Sequence, residues 1–416
     1  METKRVVVTG MGIVSPIGND VSTFWNNLIN GYCGIDFLTG FPTDDLPVKI
    51  GGQIHDFSPK DYGLSKSFVW RNDPFTLYGM AAAVQAMDDS GLDAKSETPN
   101  IDSDRFGVYV GSGTGGLTTL CRESKALDAE GARLVSPFFV AESILNILGA
   151  NIAIRYRAQG ACVCQAAACA TSTQSIGEAF RAIQHGELDA VIAGGSECAA
   201  IPLGIAGFAN MRALSRATDP RQACRPFHAE RDGFVISDGA AIIILEEYQH
   251  AKDRGARIYA EVVGYGNNCD AYHVTTPAPD AKAPARCMKA ALSEARFDEE
   301  TDSLYINAHG TGTVFNDAME TQACKLALGD QAYKCRISST KSMHGHMIGA
   351  AGAAEAIAAI MALRNGIVPP TINLDNPAPE CDLNYTPNTA VCCDISLALS
   401  NSFGFGGHNC CLAFRK

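Results

Sequence analysis

Residues 168–197 read ACATSTQSIGEAFRAIQHGELDAVIAGGSE and combine a helix pattern with a strand pattern. The stretch from residue 171 is amphipathic and stops at the glycine of position 186, where glycine commonly ends a helix. The apolar run DAVIAGG at 189–195 then predicts a buried β-strand. The segment therefore predicts a helix followed by a strand, the repeating unit of α/β proteins.

The same alternation runs along the whole chain. Amphipathic stretches such as PFTLYGMAAAVQAMDDSGL at 74–92 lie between short apolar runs that end in glycine or turn residues. Continuous apolar strands with helical connections indicate sheets covered on both faces, so we predict an α/β fold. The predicted strands lie within 4–14, 105–113, 189–195, 240–247, 256–266, 303–310 and 388–404.

Two pairs of similar segments indicate an internal duplication. VYVGSGTGG at 108–116 and YINAHGTGT at 305–313 are both strands that enter a Gly-Thr-Gly loop. Two small-residue helices are closed by Gly186 and Gly366. We therefore predict two similar halves, 1–257 and 258–416, and because no Pro-rich linker separates them we expect one large shared interface.

Composition limits the class of protein. Hydrophobic residues make up 46% of the 416 residues and charged residues 19%, which is typical of a globular chain with a large core. The sixteen cysteines are scattered, so we expect free thiols in a reducing compartment. We interpret METKRVVVTG as a strand and find no apolar run of membrane-spanning length, so we expect a cytoplasmic protein without a membrane partner. A formal charge of −12 argues against nucleic-acid binding.

The glycine-rich GSGTGG at 111–116 matches a dinucleotide-binding pattern after a strand. The sequence that follows, LTTLCRESKALDAEG, does not lead to a second parallel strand that ends in a ribose-binding acid. We therefore interpret these glycines as serving a tight turn and expect no dinucleotide cofactor.

Two histidines lie in glycine-rich surroundings. His309 directly follows the strand SLYINA, at the carboxyl end where open α/β sheets place ligands. His346 lies in a loop that opens a helix of very small residues. A lone histidine is more often a satisfied polar group, but two in such positions make catalysis the better hypothesis.

One of three closely spaced cysteines is a candidate nucleophile. Cys169 lies where a strand-like segment turns into a helix, and a helix N-terminus lowers a thiol pKa. Cys162 and Cys164 are predicted to be buried small hydrophobes. A metal site would need a fourth ligand, so we expect no metal. A thiolate that takes an acyl group, with two histidines that hold an enolate oxygen, is a coherent chemical set.

Four motifs resemble the elongating β-ketoacyl-acyl-carrier-protein synthases of the I/II type. They are the segment at 168–197, NAHGTGTVFNDAMET, SSTKSMHGHMIGAAGAAEA and NSFGFGGHN, and the resemblance covers essentially the whole chain. It implies the thiolase fold, with two α/β halves in a five-layered αβαβα core and usually a homodimer. It also implies decarboxylative Claisen condensation of an acyl group with malonyl carrier protein in fatty acid biosynthesis.

The resemblance also implies roles for individual residues. Cys169 would accept the acyl chain, and His309 and His346 would polarise the malonyl thioester carbonyl. Lys341 and Glu355 would fix the second histidine and its protonation.

Further residues of the same motifs would bind the substrate. Phe405 resembles a gatekeeper at the acyl pocket, in a motif that also contains Phe403, and the backbone N–H groups of Phe405 and Cys169 would form an oxyanion hole. Thr311 and Thr313 would contact the pantetheine arm. The enzyme needs no cofactor of its own, because the 4'-phosphopantetheine belongs to the acyl carrier protein.

The chain departs from the family pattern at several positions. His344 stands where threonine is more common, and Thr114 replaces a larger apolar residue at the pocket wall, which predicts an altered acyl pocket. The stretch at 225–247 also differs from the family at His228, Asp238 and Ala240.

The carrier protein is acidic, and so is this chain, so docking must use local cations. Arg212 best matches the family's position at the entrance. The other candidates, for which an ordinary solvated side chain is the alternative, are Lys66, Arg71, Arg133 and Arg216.

Other functions stay open at this point. A ketosynthase of a polyketide or aryl-polyene pathway would carry the same active-site motifs. A chain-length-factor subunit would lack the nucleophile, and thiolases or initiating synthases use other residues around the cysteine. A redox or metal protein is the remaining alternative.

Overall fold

The computed structural model describes residues 3–416. The helices are α1 Val21–Ile29, α2 Lys66–Val69, α3 Pro74–Ser90, α4 Leu117–Glu130, α5 Phe139–Ser143, α6 Ile147–Tyr156, α7 Thr171–Gln184, α8 Pro202–Asn210, α9 Pro220–Ala223, α10 Tyr248–Asp253, α11 Lys282–Glu294, α12 Val314–Leu328, α13 Lys341–His344 and α14 Ala351–Asn365. The strands are β1 Val6–Val14, β2 Asp36–Phe37, β3 Ile50–Gly51, β4 Phe106–Gly111, β5 Cys162–Val163, β6 Ala190–Glu197, β7 Gly239–Glu247, β8 Ala260–Cys269, β9 Leu304–Asn307, β10 Arg336–Ser338, β11 Ile367–Val368, β12 Val391–Cys392, β13 Leu397–Gly404 and β14 His408–Arg415.

Ten strands form one mixed sheet with the order β10-β9-β13-β14-β8-β1-β7-β6-β4-β5. The central pair, β8 and β1, is antiparallel, and the strand order is the same in each half when it is followed outward from this pair. In the first half β4 runs parallel to both β5 and β6, and β7 runs antiparallel to β6 and β1. In the second half β9 runs parallel to both β10 and β13, and β14 runs antiparallel to β13 and β8. Along the chain, β8, β9, β10, β13 and β14 thus correspond to β1, β4, β5, β6 and β7. The strand topology is thus duplicated, as the paired sequence motifs indicate.

Each half of the sheet forms one β layer, and the helices form three further layers, one outside each half and one between the two halves. α3 packs on the outer face of β1, β6 and β7, and α11 and α12 cover the outer side of the second half. α7 and α14 lie between the halves and contact strands of both. The molecule therefore has the five layers αβαβα.

The central helices are built from small residues because they are covered on all sides. Almost every residue of α14, AGAAEAIAAIMALRN, is buried, and such an all-round apolar helix belongs in a core. A Cβ at Gly352 would lie 1.9 Å from the hydroxyl oxygen of Thr173, which is in α7. Small side chains thus let the two central helices touch, which brings the loops at their N-termini together.

The structure corrects part of the strand prediction. Residues 388–404, predicted as one strand, form β12 and β13 with a non-strand segment between them. The glycine at position 366 ends α14, as predicted, and the structure shows it in the left-handed conformation. Within residues 3–416, no helix combines the length and apolar character that crossing a bilayer requires.

Candidate active site

Cys169, His309 and His346 converge at the floor of a cavity. The sulfur of Cys169 and a ring nitrogen of each histidine all lie within 4.8 Å of one another. The two imidazoles meet edge to face, with ring centroids 5.3 Å apart and planes at 84°. All three side chains are buried, so the thiol and the two rings form one cluster that is largely shielded from solvent.

Equivalent elements of the two halves deliver two of these side chains. Cys169 lies in a short 3-10 turn that leads into α7, and His346 shortly precedes α14. The backbone of His346 is fixed because its N–H donates to the Val235 carbonyl at 2.7 Å and its carbonyl accepts from the Ser237 N–H at 3.0 Å. The duplicated topology therefore places the thiol and this imidazole at the N-terminal ends of neighbouring helices.

His309 follows β9, as the sequence predicts. Its backbone N–H and that of Gly310 donate to the two carboxylate oxygens of Glu320 at 2.8 and 2.7 Å. Glu320 is buried and was not singled out from the sequence, although it lies within the quoted motif NAHGTGTVFNDAMET. A buried carboxylate thus holds the loop that carries this histidine.

The cavity above the cluster has a volume of about 240 Å³. Two aromatic side chains that were not predicted to be functional, Phe208 and Phe234, form part of its wall. Phe234 meets the ring of His346 edge on at 5.3 Å. The predicted residues that line the cavity are Cys169, Arg212, His309, Thr311, Thr313, His346, Phe403 and Phe405.

The loop after β13 closes over the nucleophile. The backbone N–H of Phe405 faces the Cys169 sulfur and lowers the pKa of this thiol. A Cβ at Gly404 would lie 2.8 Å from the Ala167 carbonyl oxygen and 3.1 Å from the Cys169 nitrogen, so this approach requires glycine. The strand end that leads to the Phe405 N–H is therefore in close contact with the turn that contains Cys169.

Lys341 and Glu355 form a buried ion pair behind the histidines. The Lys341 ammonium also donates to Nδ1 of His309 at 3.3 Å. The pair was predicted to fix His346. The hydrogen bond goes to His309 instead, whereas the charge of Lys341 does lower the pKa of His346. Because Nδ1 of His309 accepts a hydrogen bond from a cation, its ring proton is on Nε2.

Both histidines are neutral in this environment. Burial and the charge of Lys341 hold the pKa values of His309 and His346 well below the ordinary value. Neither ring nitrogen of His346 has a hydrogen-bond partner among residues 3–416. Two uncharged imidazoles can therefore form hydrogen bonds with a substrate in the cavity.

The Cys169 thiol does not have the lowered pKa that its position before a helix predicts. Burial raises its pKa to about 11, although the Lys341 charge and the Phe405 N–H act in the opposite direction. The desolvation of a thiolate outweighs the effect of the nearby positive groups. The thiol is therefore protonated at neutral pH.

The other two cysteines of the motif are not buried as expected. Cys162 is exposed and Cys164 is half-buried, because β5 is an edge strand with one neighbour, β4. The burial prediction was wrong since the sequence does not reveal that the sheet ends there.

Thr114 lies outside the cavity wall. Its hydroxyl donates to the buried carboxylate of Glu197 at 2.6 Å. His344 is fully buried beside the site, and burial lowers its pKa to about 3. Nδ1 of His344 lies 2.8 Å from the Gly345 carbonyl oxygen. At these two of the departures from the family pattern, the side chain is therefore directed toward the protein interior.

The predicted docking cations are all exposed. Arg212 is the one at the cavity mouth. Arg71 lies over the ring of Phe138 at 4.9 Å. The remaining three, Lys66, Arg133 and Arg216, do not line the cavity.

The sequence matches two family models that together span most of the chain. Residues 3–251 match the beta-ketoacyl synthase N-terminal domain, and residues 259–375 match the beta-ketoacyl synthase C-terminal domain. The chain belongs to the β-ketoacyl synthase family. This family membership confirms the resemblance stated from the motifs.

Relatives of this β-ketoacyl synthase match it over its full length. It is 46% identical to 3-oxoacyl-(acyl-carrier-protein) synthase 2 of Synechocystis over 417 residues, covering 100% of this chain and 99% of the relative. The AntDE ketosynthase of a type II polyketide system, solved with its acyl-carrier protein, is 34% identical with a TM-score of 0.90, covering 99% of each chain. The ishigamide ketosynthase/chain length factor is 32% identical with a TM-score of 0.91, covering 100% of this chain and 99% of that one. These likenesses confirm the predicted thiolase-like fold.

Proposed function

We propose that this β-ketoacyl synthase is an elongating 3-oxoacyl-(acyl-carrier-protein) synthase of fatty acid biosynthesis. The full-length similarity to a 3-oxoacyl-(acyl-carrier-protein) synthase 2 supports this activity. The observation that carries the mechanism is the buried cluster of one thiol and two neutral imidazoles. The thiol supplies a nucleophile, and the imidazoles supply uncharged hydrogen-bond donors.

In the first step Cys169 accepts the acyl chain. Its sulfur attacks the carbonyl of the acyl-carrier thioester, a new S–C bond forms, and the bond to the pantetheine sulfur breaks. The thiol proton passes to the departing pantetheine sulfur. The N–H groups of Phe405 and Cys169 stabilise the negative oxygen of the tetrahedral intermediate.

In the second step a malonyl thioester binds above the histidines. Loss of CO2 leaves the bonding electrons on the α-carbon and the thioester oxygen, which accepts hydrogen bonds from His309 and His346. The carbon then attacks the acyl group on Cys169, so that a C–C bond forms and the S–C bond breaks. The Lys341 contact keeps the proton of His309 on Nε2, the nitrogen that donates.

The remaining cavity residues fit a carrier-bound substrate. Thr311 and Thr313 share a hydrogen bond of 3.0 Å along the wall and would contact the pantetheine arm. Arg212 at the mouth, together with Lys66, Arg71, Arg133 and Arg216, would bind an acidic carrier protein. The phosphopantetheine arrives on that carrier, so the enzyme itself needs no cofactor.

We also propose a homodimer in a reducing, cytoplasmic compartment. The outer edge of β10 is covered, because the Ile337 N–H donates to the Asn384 carbonyl at 2.9 Å. At the opposite edge, no strand of residues 3–416 lies beyond β5. Ile154 in the preceding helix is 78% exposed, so a second copy would cover both polar backbone and apolar surface. All sixteen cysteines are free, which fits a reducing compartment.

A polyketide ketosynthase is the second candidate, and the likeness to the AntDE and ishigamide proteins favours it. The higher identity to 3-oxoacyl-(acyl-carrier-protein) synthase 2 of Synechocystis favours elongation of simple acyl chains. Rates with a ladder of saturated acyl carriers and with a polyketide intermediate separate the two candidates.

The three clustered side chains also resemble a metal-ligand set, because cysteine and histidine both bind zinc. The Lys341 ammonium next to His309 opposes a divalent cation there. We expect condensation activity to survive dialysis against a chelator, with no stoichiometric metal by elemental analysis. Loss of activity that zinc restores would support the metal alternative.

Labelling tests the proposed function directly. The protein is incubated with radiolabelled acyl carrier protein and digested, and the labelled peptide is sequenced. We expect the label on Cys169 and its release as a β-ketoacyl product after addition of malonyl carrier protein. Label on another residue, or a wild-type protein that does not condense, contradicts the proposal.

A further inference from the structure

The GSGTGG loop surrounds a buried carboxylate. Glu197, the last residue of β6, is fully buried. Its Oε1 accepts from the Ser112 hydroxyl at 2.9 Å, the Thr114 hydroxyl at 2.6 Å and the Thr114 N–H at 3.1 Å. Its Oε2 accepts from the N–H groups of Gly113 at 2.7 Å and Gly349 at 3.0 Å. The loop thus binds an internal anion through the groups with which similar loops bind phosphate.

The carboxylate connects loops from the two halves of the molecule. The loop of Ser112, Gly113 and Thr114 follows β4, whereas Gly349 belongs to the turn between His346 and α14. A Cβ at Gly349 would lie 2.5 Å from the Gly113 nitrogen and 2.8 Å from Oε2 of Glu197. Glycine at this position therefore permits the close approach of both loops to one carboxylate.

The turn that Glu197 holds is strained. Ile348 has a φ of +43°, a left-handed conformation that is costly for a β-branched residue. Such a conformation persists only where neighbouring contacts enforce it. The hydrogen bond from Gly349 to Glu197 is one of these contacts, and it lies three residues after His346.

We propose that Glu197 is a positioning residue for the condensation step, in which it holds the turn after His346 and thereby the imidazole. The proposal rests on the proposed function. The other half of the molecule has a comparable contact, although its carboxylate lies in a helix: Glu320 of α12 accepts the N–H groups of His309 and Gly310. In each half, a buried carboxylate thus accepts backbone N–H groups of a Gly-Thr-Gly loop and of a histidine-bearing loop.

The direct test is Glu197→Gln. Both oxygens of Glu197 accept hydrogen bonds, so the NH2 group of glutamine must face N–H or O–H donors on one side. Because a small displacement of a reacting group slows chemistry strongly, we expect kcat for condensation to fall about 10-fold to 100-fold. Acylation of Cys169 should not slow by more than about threefold, because the variant removes a negative charge that raises the pKa of the thiol. The KM for malonyl carrier protein should stay within about threefold of wild type, because the pantetheine contacts remain in place.

Glu142→Gln is the matched control. Glu142 is also a buried carboxylate, and it accepts from Arg122 at 2.6 Å and from the Thr119 hydroxyl. We expect its acylation and condensation rates to remain close to wild type. The thermal midpoint of each variant shows whether the fold is retained.

Gly349→Ala disturbs the same hydrogen bond at its donor residue, because the added methyl group would push the turn away from Glu197. We expect the same selective loss of condensation, and this variant carries the test if Glu197→Gln does not fold. Condensation within about threefold of wild type in a folded variant, or equal losses of acylation and condensation, overturns the proposal. A wild-type protein that is not acylated or does not condense overturns the proposed function instead.

Discussion

The charge states of the histidines and the thiol at the site follow from burial and from the contacts of Lys341. His309 receives a hydrogen bond from Lys341 on one ring nitrogen, which leaves the other nitrogen as a donor toward the cavity. The same ammonium is bound by Glu355, and burial raises the pKa of Glu355 to about 7. One buried cation thus lowers the pKa of two imidazoles and of the thiol at once.

Removing this cation should change the reactivity of Cys169. The double substitution Lys341→Met with Glu355→Gln replaces the buried ion pair by neutral groups, which proteins often tolerate. Because the charge of Lys341 lowers the pKa of Cys169 more than Glu355 raises it, the pKa of the thiol should rise. The pH profile of iodoacetamide alkylation at Cys169, followed by peptide mapping, should shift to higher pH.

The control for this prediction is a pair on the surface. Lys325 and Asp382 form an ion pair whose side chains are partly exposed, so Lys325→Met with Asp382→Asn should leave the alkylation profile unchanged. An unchanged or lower-pH profile in the Lys341 variant would show that this lysine does not set the acidity of the thiol.

At the scale of elements, the site depends on close approaches between a strand end and a turn. The carboxyl end of β13 passes so near the turn before α7 that residue 404 has no room for a side chain. The same elements carry the Phe405 N–H and the Cys169 sulfur, so their spacing sets the geometry of acyl transfer.

Gly404→Ala should therefore slow acylation. Its Cβ would meet backbone atoms of Ala167 and Cys169, which cannot move independently of the nucleophile. We expect the acylation rate to fall by about 10-fold to 100-fold. Gly207→Ala is the control, since it lies in α8 with nothing within 4 Å of the added Cβ, and it should raise the stability by about 0.5–1 kcal/mol. Equal acylation by both variants would contradict this account.

The sequence predicts these elements better than it predicts their contacts. Helix periodicity and the glycine stop locate α7, and the paired Gly-Thr-Gly motifs predict the duplication. The partner of Lys341 was assigned to the wrong histidine, because a side-chain hydrogen bond depends on the packing of three separate segments. The raised pKa of Cys169 was missed for a similar reason, since burial depends on the whole surrounding core.

At the scale of the whole molecule, the two halves make one sheet with two different edges. The outer side of β10 is hydrogen-bonded to the segment around Asn384. In contrast, β5 pairs with β4 on one side and with no strand of residues 3–416 on the other. Local patterns could not predict this difference, and it explains why Cys162 is exposed rather than buried. It is also the basis for the proposed homodimer.

Ile154→Glu should weaken that dimer. We expect light scattering of the wild-type protein to give about twice the chain mass of 44.0 kDa. The new charge at a position that is 78% exposed in the single chain should shift the protein toward the monomer. Tyr333→Glu, which changes an exposed aromatic residue near the β10 edge, should leave the mass unchanged. A monomeric wild-type protein would refute the dimer.

The central claim is that Cys169 accepts the acyl group and that the two imidazoles act only in condensation. One single-turnover measurement on His346→Ala tests it most directly. Wild type and variant are loaded with labelled acyl groups and mixed with malonyl carrier protein, and CO2 release and the label on Cys169 are followed together. We predict normal loading of the variant, with CO2 release and condensation slower by about 10²–10³-fold, as for the loss of one oxyanion donor. Condensation at the wild-type rate, or failure of the variant to load, would contradict the account.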